Sequence, residues 1–219
     1  MALNKLKYNS LNITPAANKA ISFDSDPDAL EATISGGSMT FIKKLTASSS
    51  GTLSFIDGSS SVVLDNTYKE YMFIFINVHP ATDNVGFTFQ TSTNGGSSYG
   101  VTVTTSFFNA YHNEAGNTTN LGYRTGEDLA QSTDFQLFQS NYGGGNDESG
   151  SGYLHLFNPS STTFVKHFIS RSSNYHQADY AMDNYIGGYF NTTSAIDAIQ
   201  FKMASGNIDA GTITLYGIN

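Results

Sequence analysis

From Met39 onward the chain is cut into short runs of Phe, Tyr, Ile, Val and Thr, separated by clusters of Gly, Asn, Asp and Ser. Such punctuation belongs to antiparallel β-structure. The predicted strands are 39–46, 52–56, 61–64, 68–78, 86–92, 99–105, 107–112, 135–139, 153–158, 164–170, 185–191, 198–203 and 212–218. Asp57-Gly58 and Asn94-Gly95 supply the positive-φ residues of hairpin turns and are expected to join neighbouring strands. The stretch from Ser205 to Gly211 separates two alternating segments and predicts a terminal hairpin with one wet face. Tyr71 to Ile76 (YMFIFI) is apolar on both faces, as is Phe164/Val165 with Phe168/Ile169. Those strands should be central, with cover on each side. Two packed sheets supply that cover, so the expected fold is an all-β, antiparallel β-sandwich of the jelly-roll type. Helical evidence is thin: only Gly126 to Gln131 (GEDLAQ) suits a short helix, with acids at its start.

The first 38 residues differ. Two short apolar pieces, Leu11 to Ile13 and Ala20 to Phe23, are mixed with Pro15, an acidic cluster and Gly36-Gly37, and neither strand nor helix periodicity persists. We read 1–38 as an extended N-terminal arm for attachment, with Leu11, Ile13, Ile21 and Phe23 docking on a neighbour, and 39–219 as the β-sandwich domain. The opening MALNKLKYNSLN has no apolar stretch of signal-peptide length. The longest apolar run is far short of the ~20 residues of a membrane helix, so no membrane partner is expected.

Composition narrows function by exclusion. Charged residues are 13% of the chain, against roughly 25% in average proteins, so the surface is mostly hydroxyl and amide. A net charge of -8 is the wrong sign for neutralising phosphates, and no nucleic-acid partner is expected. The absence of cysteine removes disulfides, thiolate metal sites and Cys nucleophiles together.

Chemistry-bearing patterns are sparse. Asp24, Asp26 and Asp28 alternate as hard-cation loops begin, but Ala29 and Ser35 stand where an EF-hand-like loop needs Gly and Glu. Adjacent acids at Asp147-Glu148 and Glu127-Asp128 point apart and make no acid/base couple. The five histidines have no HExxH spacing, and neither a G-x-S-x-G elbow nor a phosphate-binding glycine loop occurs. No enzyme activity and no cofactor are expected. Thirteen tyrosines without tryptophan raise sugar stacking or subunit contact, with Tyr142, Tyr175, Tyr180 and Tyr185 in or beside polar loops as the candidates.

Several longer phrases carry a resemblance. FIKKLTASSSGTLSFIDGSSSVVLD (41–65), YKEYMFIFINVHPATD (68–83), FTFQTSTNGGSSY (87–99), LFNPSSTTFVKHF (156–168) and TSAIDAIQFKMASGNIDAGTITLYG (193–217) resemble a recurrent group of bacteriophage virion structural proteins of marine tailed phages. LNITPAANKAISFDSDPD (11–28) is similar to the attachment arms of phage fibre-like proteins. The resemblance implies a virion component made in the host cytoplasm, a head-decoration or tail-fibre-like subunit. Its implied partners are other virion proteins and further copies of itself, with a trimer as the expected symmetry. Recognition of a host surface glycan is the alternative.

Overall fold

The computed structural model describes residues 20–23, 30–33 and 38–219. The chain divides into two units, Met1–Gly37 and Ser38–Asn219. In the first, β1 (Ala20–Phe23) pairs antiparallel with β2 (Leu30–Thr33), placing Ile21 opposite Ala32 and Phe23 opposite Leu30.

The second unit is all-β, with no helix among its residues. Its strands are β3 (Met39–Thr46), β4 (Leu53–Ile56), β5 (Glu70–Pro80), β6 (Val85–Ser92), β7 (Val103–Asn113) and β8 (Thr119–Tyr123) in the first half. The second half supplies β9 (Gln136–Tyr142), β10 (Gly150–Phe157), β11 (Lys166–His176), β12 (Tyr180–Phe190), β13 (Ala198–Met203) and β14 (Ile208–Ile218). All pairings are antiparallel, along the path β3-β14-β5-β10-β11-β9-β6-β13-β4, with β12, β7 and β8 running on from β11. The two ends of the path, β3 and β4, are consecutive in sequence. Their link is tied to β14 by reciprocal Ser50 and Ile208 backbone hydrogen bonds of 2.8 Å. The sheet thereby nearly closes into a barrel.

Alternation decides what fills it. β11 buries Lys166, Phe168, Ser170, Ser172 and Asn174 and turns His167, Ile169, Arg171 and Ser173 outward. Phe55, Phe73, Phe75, Phe87, Phe89, Phe138 and Phe201 meet in the middle, with Phe75 at 4.5 Å from Phe138 and 5.1 Å from Phe201 between ring centroids. Each such aromatic pair adds about 0.5–1.5 kcal/mol beyond area burial. Toward β7 the filling turns polar: Asn184 donates to Asn174 at 3.0 Å, and Asn174 donates to the Ser140 carbonyl at 3.2 Å. Asn174 and Asn184 are tolerated there because each amide finds a partner.

Several local expectations are corrected. The segment 61–64 is a loop, because Asp57 accepts from the Leu64 N–H at 2.8 Å and Gly58 donates to the Val62 carbonyl. Asp57-Gly58 and Asn94-Gly95 do turn the chain, but β4 leads to β5 and β6 to β7, which are not sheet neighbours. Residues 204–207 likewise join β13 to β14 without pairing them. Both strands already have two partners, β4 and β6 for one, β3 and β5 for the other. The expected helix at 126–131 is absent because β7 claims its backbone: Thr105 N–H donates to the Leu129 carbonyl, and Leu129 N–H to the Thr105 hydroxyl, both at 2.9 Å. Segments 99–105 and 107–112 largely merge into β7, and β8 goes unpredicted.

Candidate functional site

β5 and β11 are central, but the described residues cover only their inner faces. Tyr71, Phe73 and Phe75 are buried, while Ile76 is 49% exposed and Ile169 50%. The outer surface they share is where large apolar groups collect. Nine large hydrophobic side chains are exposed among the described residues, and eight of them (Met39, Phe41, Ile76, Phe108, Leu121, Tyr123, Tyr153 and Ile169) point outward from this sheet. The ninth, Phe164, lies in the loop before β11.

The register organises this surface into rungs. Tyr123, Phe108, Tyr185, Arg171, Tyr153 and Ile74 stand directly opposite one another on β8, β7, β12, β11, β10 and β5. The Phe108 and Tyr185 rings stack at 4.8 Å with an interplanar angle of 2°. The Arg171 guanidinium sits 4.9 Å from the Tyr185 centroid. Phe108 and Arg171 approach from strands on opposite sides of β12, so both faces of Tyr185 are occupied.

Arg171 is itself held. Its Nε and Nη2 donate to the Asp183 carboxylate at 3.1 and 2.8 Å, and the Tyr185 hydroxyl donates to the same group at 3.0 Å. These bonds, the arginine's first, keep the Asp183 carboxyl below its ordinary range. Desolvation, then Asp183, raises the Tyr185 phenol. Small residues flank the ridge, Gly187 and Ser106 on one side and Ala181, Ser173 and Gly152 on the other. They leave shallow troughs of about 360 and 510 Å³. Farther along, the His155 ring is hydrogen-bonded to the Glu70 carboxylate.

The four tyrosines singled out from the sequence do not form one site. Tyr142 is a correction: it is fully buried, its ring edge-on to Phe87 at 6.5 Å, and desolvation raises its phenol far above the ordinary value. The strand pattern carries it into the core, out of reach of any partner. Tyr175 donates its hydroxyl toward Glu114 and Asp179 at 3.0 and 3.1 Å. Tyr180 lines a separate cavity of about 280 Å³ with Tyr111, Arg124, Asn141 and His176. There it stands edge-on to Tyr111 at 5.4 Å and to His176 at 5.3 Å. Desolvation, then the nearby Arg124, holds the His176 imidazole below its ordinary value. Tyr185 alone belongs to the ridge. Its companions Phe108, Arg171, Asp183 and Tyr153 had one sequence signal, the alternation of large outward residues with buried ones, and that signal needs the strand register to become a site.

Of the arm residues, Ile21 and Phe23 lie on β1. Leu11, Ile13, Asp24, Asp26 and Asp28 lie outside the described residues. Among the described residues no three His, Asp or Glu side chains gather as a metal site would need. The adjacent acids lie in turns and loops outside the strands, and Glu127 and Asp128 separate toward different partners. Glu127 bonds Arg124 at 3.1 Å, Asp128 accepts from Tyr123 at 2.7 Å, and Glu148 turns back onto the Gly145 N–H.

No family model, curated protein or solved structure matches the chain.

Proposed function

We propose that this chain is a non-enzymatic structural component of a bacteriophage virion, a head-decoration or tail-appendage subunit that holds to other virion proteins and to its own copies. The observation that carries the reading is the crowding of eight exposed large apolar side chains onto one sheet surface. Apolar residues scattered singly are ordinary on a monomer, whereas Phe108, Tyr185, Tyr153 and Ile169 line one trough together, and an adjoining set marks a contact surface. β5 beneath it is apolar on both faces over Tyr71 to Ile76, as strands with cover on each side are. The phrases quoted above supply the virion context.

The finer form of the fold belongs to the same proposal. The run β3-β14-β5-β10-β11-β12-β7-β8 is one layer and β9-β6-β13-β4 the other, a jelly-roll-like sandwich preceded by an arm at 1–38. Phe75 on β5 against Phe87 on β6, at 5.6 Å, supports the two-layer reading.

Imaging of intact particles with labelled protein tests the role. Ile169→Glu combined with Phe108→Glu should leave the circular dichroism spectrum unchanged and abolish incorporation, as should deletion of 1–38. Normal incorporation of the outer-surface double variant overturns the surface as the assembly contact, and absence of the protein from particles overturns the role.

A second reading, recognition of a host surface glycan, is favoured by the cavity at Tyr180, where aromatic walls meet Arg124 and Asn141. The ridge is the poorer sugar platform, because Tyr185 has no free face for a pyranose. A glycan array separates the readings: sharp binding lost in Tyr180→Ala supports recognition, and silence across the array removes it.

A further inference from the structure

Within the second unit, three strands have a partner on one side only: β3, β4 and β8. Natural sheets blunt such edges with lysine, proline, bulges or brevity. β3 carries Lys43 and Lys44 and a register shift against β14, and β4 has 4 residues. β8, TNLGY, is itself short at 5 residues, but it has no charge, no proline and an unbroken register with β7. Its two largest side chains are among the barest of the molecule, Leu121 at 71% and Tyr123 at 54% exposed.

The backbone of β8 points the same way. Asn113 N–H donates to the Thr118 carbonyl, and Arg124 N–H to the Phe107 carbonyl. These bonds set the phase of the antiparallel ladder: 118, 120, 122 and 124 turn toward β7, and Thr119, Leu121 and Tyr123 turn their N–H and C=O outward. The same Leu121 and Tyr123 stand on the outer surface opposite Ala110 and Phe108.

We propose that β8 pairs antiparallel with β8 of a second copy of this chain, about a twofold axis through Leu121. Leu121 then faces its own counterpart, Thr119 faces the partner's Tyr123, and the three outward residues exchange about six backbone hydrogen bonds. The sheet continues from one copy into the next, and the ridge ending in Tyr123 meets the partner's Thr119.

Charge selects the occupant. A chain of net charge -8 repels its own copy over most of its surface, and β8 offers a strip with no charge at all. The nearest acid, Asp128, accepts from the Tyr123 hydroxyl. The twofold axis sets its two copies at opposite ends of the paired strands, about 14 Å apart along four residues, beyond the ~8 Å Debye length at physiological salt. So short a strand pair buries less than the ~800 Å² per partner of a standard interface, which sets the expected dissociation constant at about micromolar or weaker. This inference stands on the strand edge and is independent of the virion reading.

Sedimentation of the full chain from about 5 to about 500 micromolar tests it. The mass should rise from 23.6 kDa toward twice that value. Leu121→Lys and Thr119→Pro should each hold the protein at the monomer mass with an unchanged circular dichroism spectrum. The proline removes an outward N–H and leaves the β7 ladder intact. A monomer at every concentration, or a trimer, overturns the proposal. So does a dimer that survives Thr119→Pro, and so does one lost only with Ile169→Lys, which would assign the contact to stacked outer surfaces.

Discussion

Lys166 is the most telling single residue. A lysine at the start of β11 reads as a solvated strand end, yet it is fully buried. Its ammonium donates to the Phe164 and Thr192 carbonyls at 3.0 Å each, and desolvation lowers its pKa. The butyl stem packs with the core while the head ties two loop carbonyls that would otherwise be unpaired. Lys166→Ala removes both functions and is expected to cost about 2–5 kcal/mol. Lys166→Met keeps the stem volume and should lose clearly less; urea midpoints of the two variants check this. At this scale the sequence is a partial guide. Tyr142 and Tyr185 both looked like rim tyrosines. The first was drawn inward because β9 runs on to residue 142, three residues past the predicted end, and that extension reflects pairing partners no local pattern reveals.

Among the elements, β14 lies between β3 and β5, with register shifts against β5 at 208/210 and 210/212. Gly211 sits in the second shift with φ 110°, and a Cβ there would lie 2.5 Å from the Asn77 carbonyl oxygen and 2.7 Å from the Val78 Cα. Both contacts are backbone and cannot swing away. Gly211→Ala is expected to cost about 2 kcal/mol, a fall in Tm of about 4–8 °C for a domain of this size. Calorimetry of the single variant checks it. Strand existence was legible because alternation and turn residues are local signals: 39–46 and 198–203 coincide with β3 and β13. β8 was not legible, because Thr119–Tyr123 has no inward apolar residue and owes its extended form to pairing with β7. The turns misled for the complementary reason. A turn residue fixes the local bend but leaves open which strand the departing chain will meet.

Over the whole molecule, eight of the twelve pairings among the described residues join strands that are not consecutive in sequence. β3 meets β14 at Met39↔Ile218, β4 meets β13, and β6 meets β13 and β9. Topology of this kind cannot be read from spacing, since each strand's alternation states which face is buried and not who lies beside it. What composition did convey was the core: with 16 phenylalanines and no cysteine, the chain relies on ring packing. Because β14 completes both β3 and β5, removal of residues 212–219 should abolish folding of the whole unit, not merely fray one edge. Loss of the far-ultraviolet β signal and of a cooperative thermal transition would report it.

The place of β14 also sets a schedule for biosynthesis. β3 ends at residue 46 and its only sheet partner begins at residue 208, an interval of 208 − 46 = 162 residues. At roughly 5–20 residues per second on the ribosome, the nascent β3 waits about 8–32 s for that partner. Throughout that delay Phe41, Ile42 and Leu45 have no sheet partner to cover them. Lys43 and Lys44, set among them, keep the growing polypeptide from joining its neighbours on the same polysome before its own last ribbon arrives.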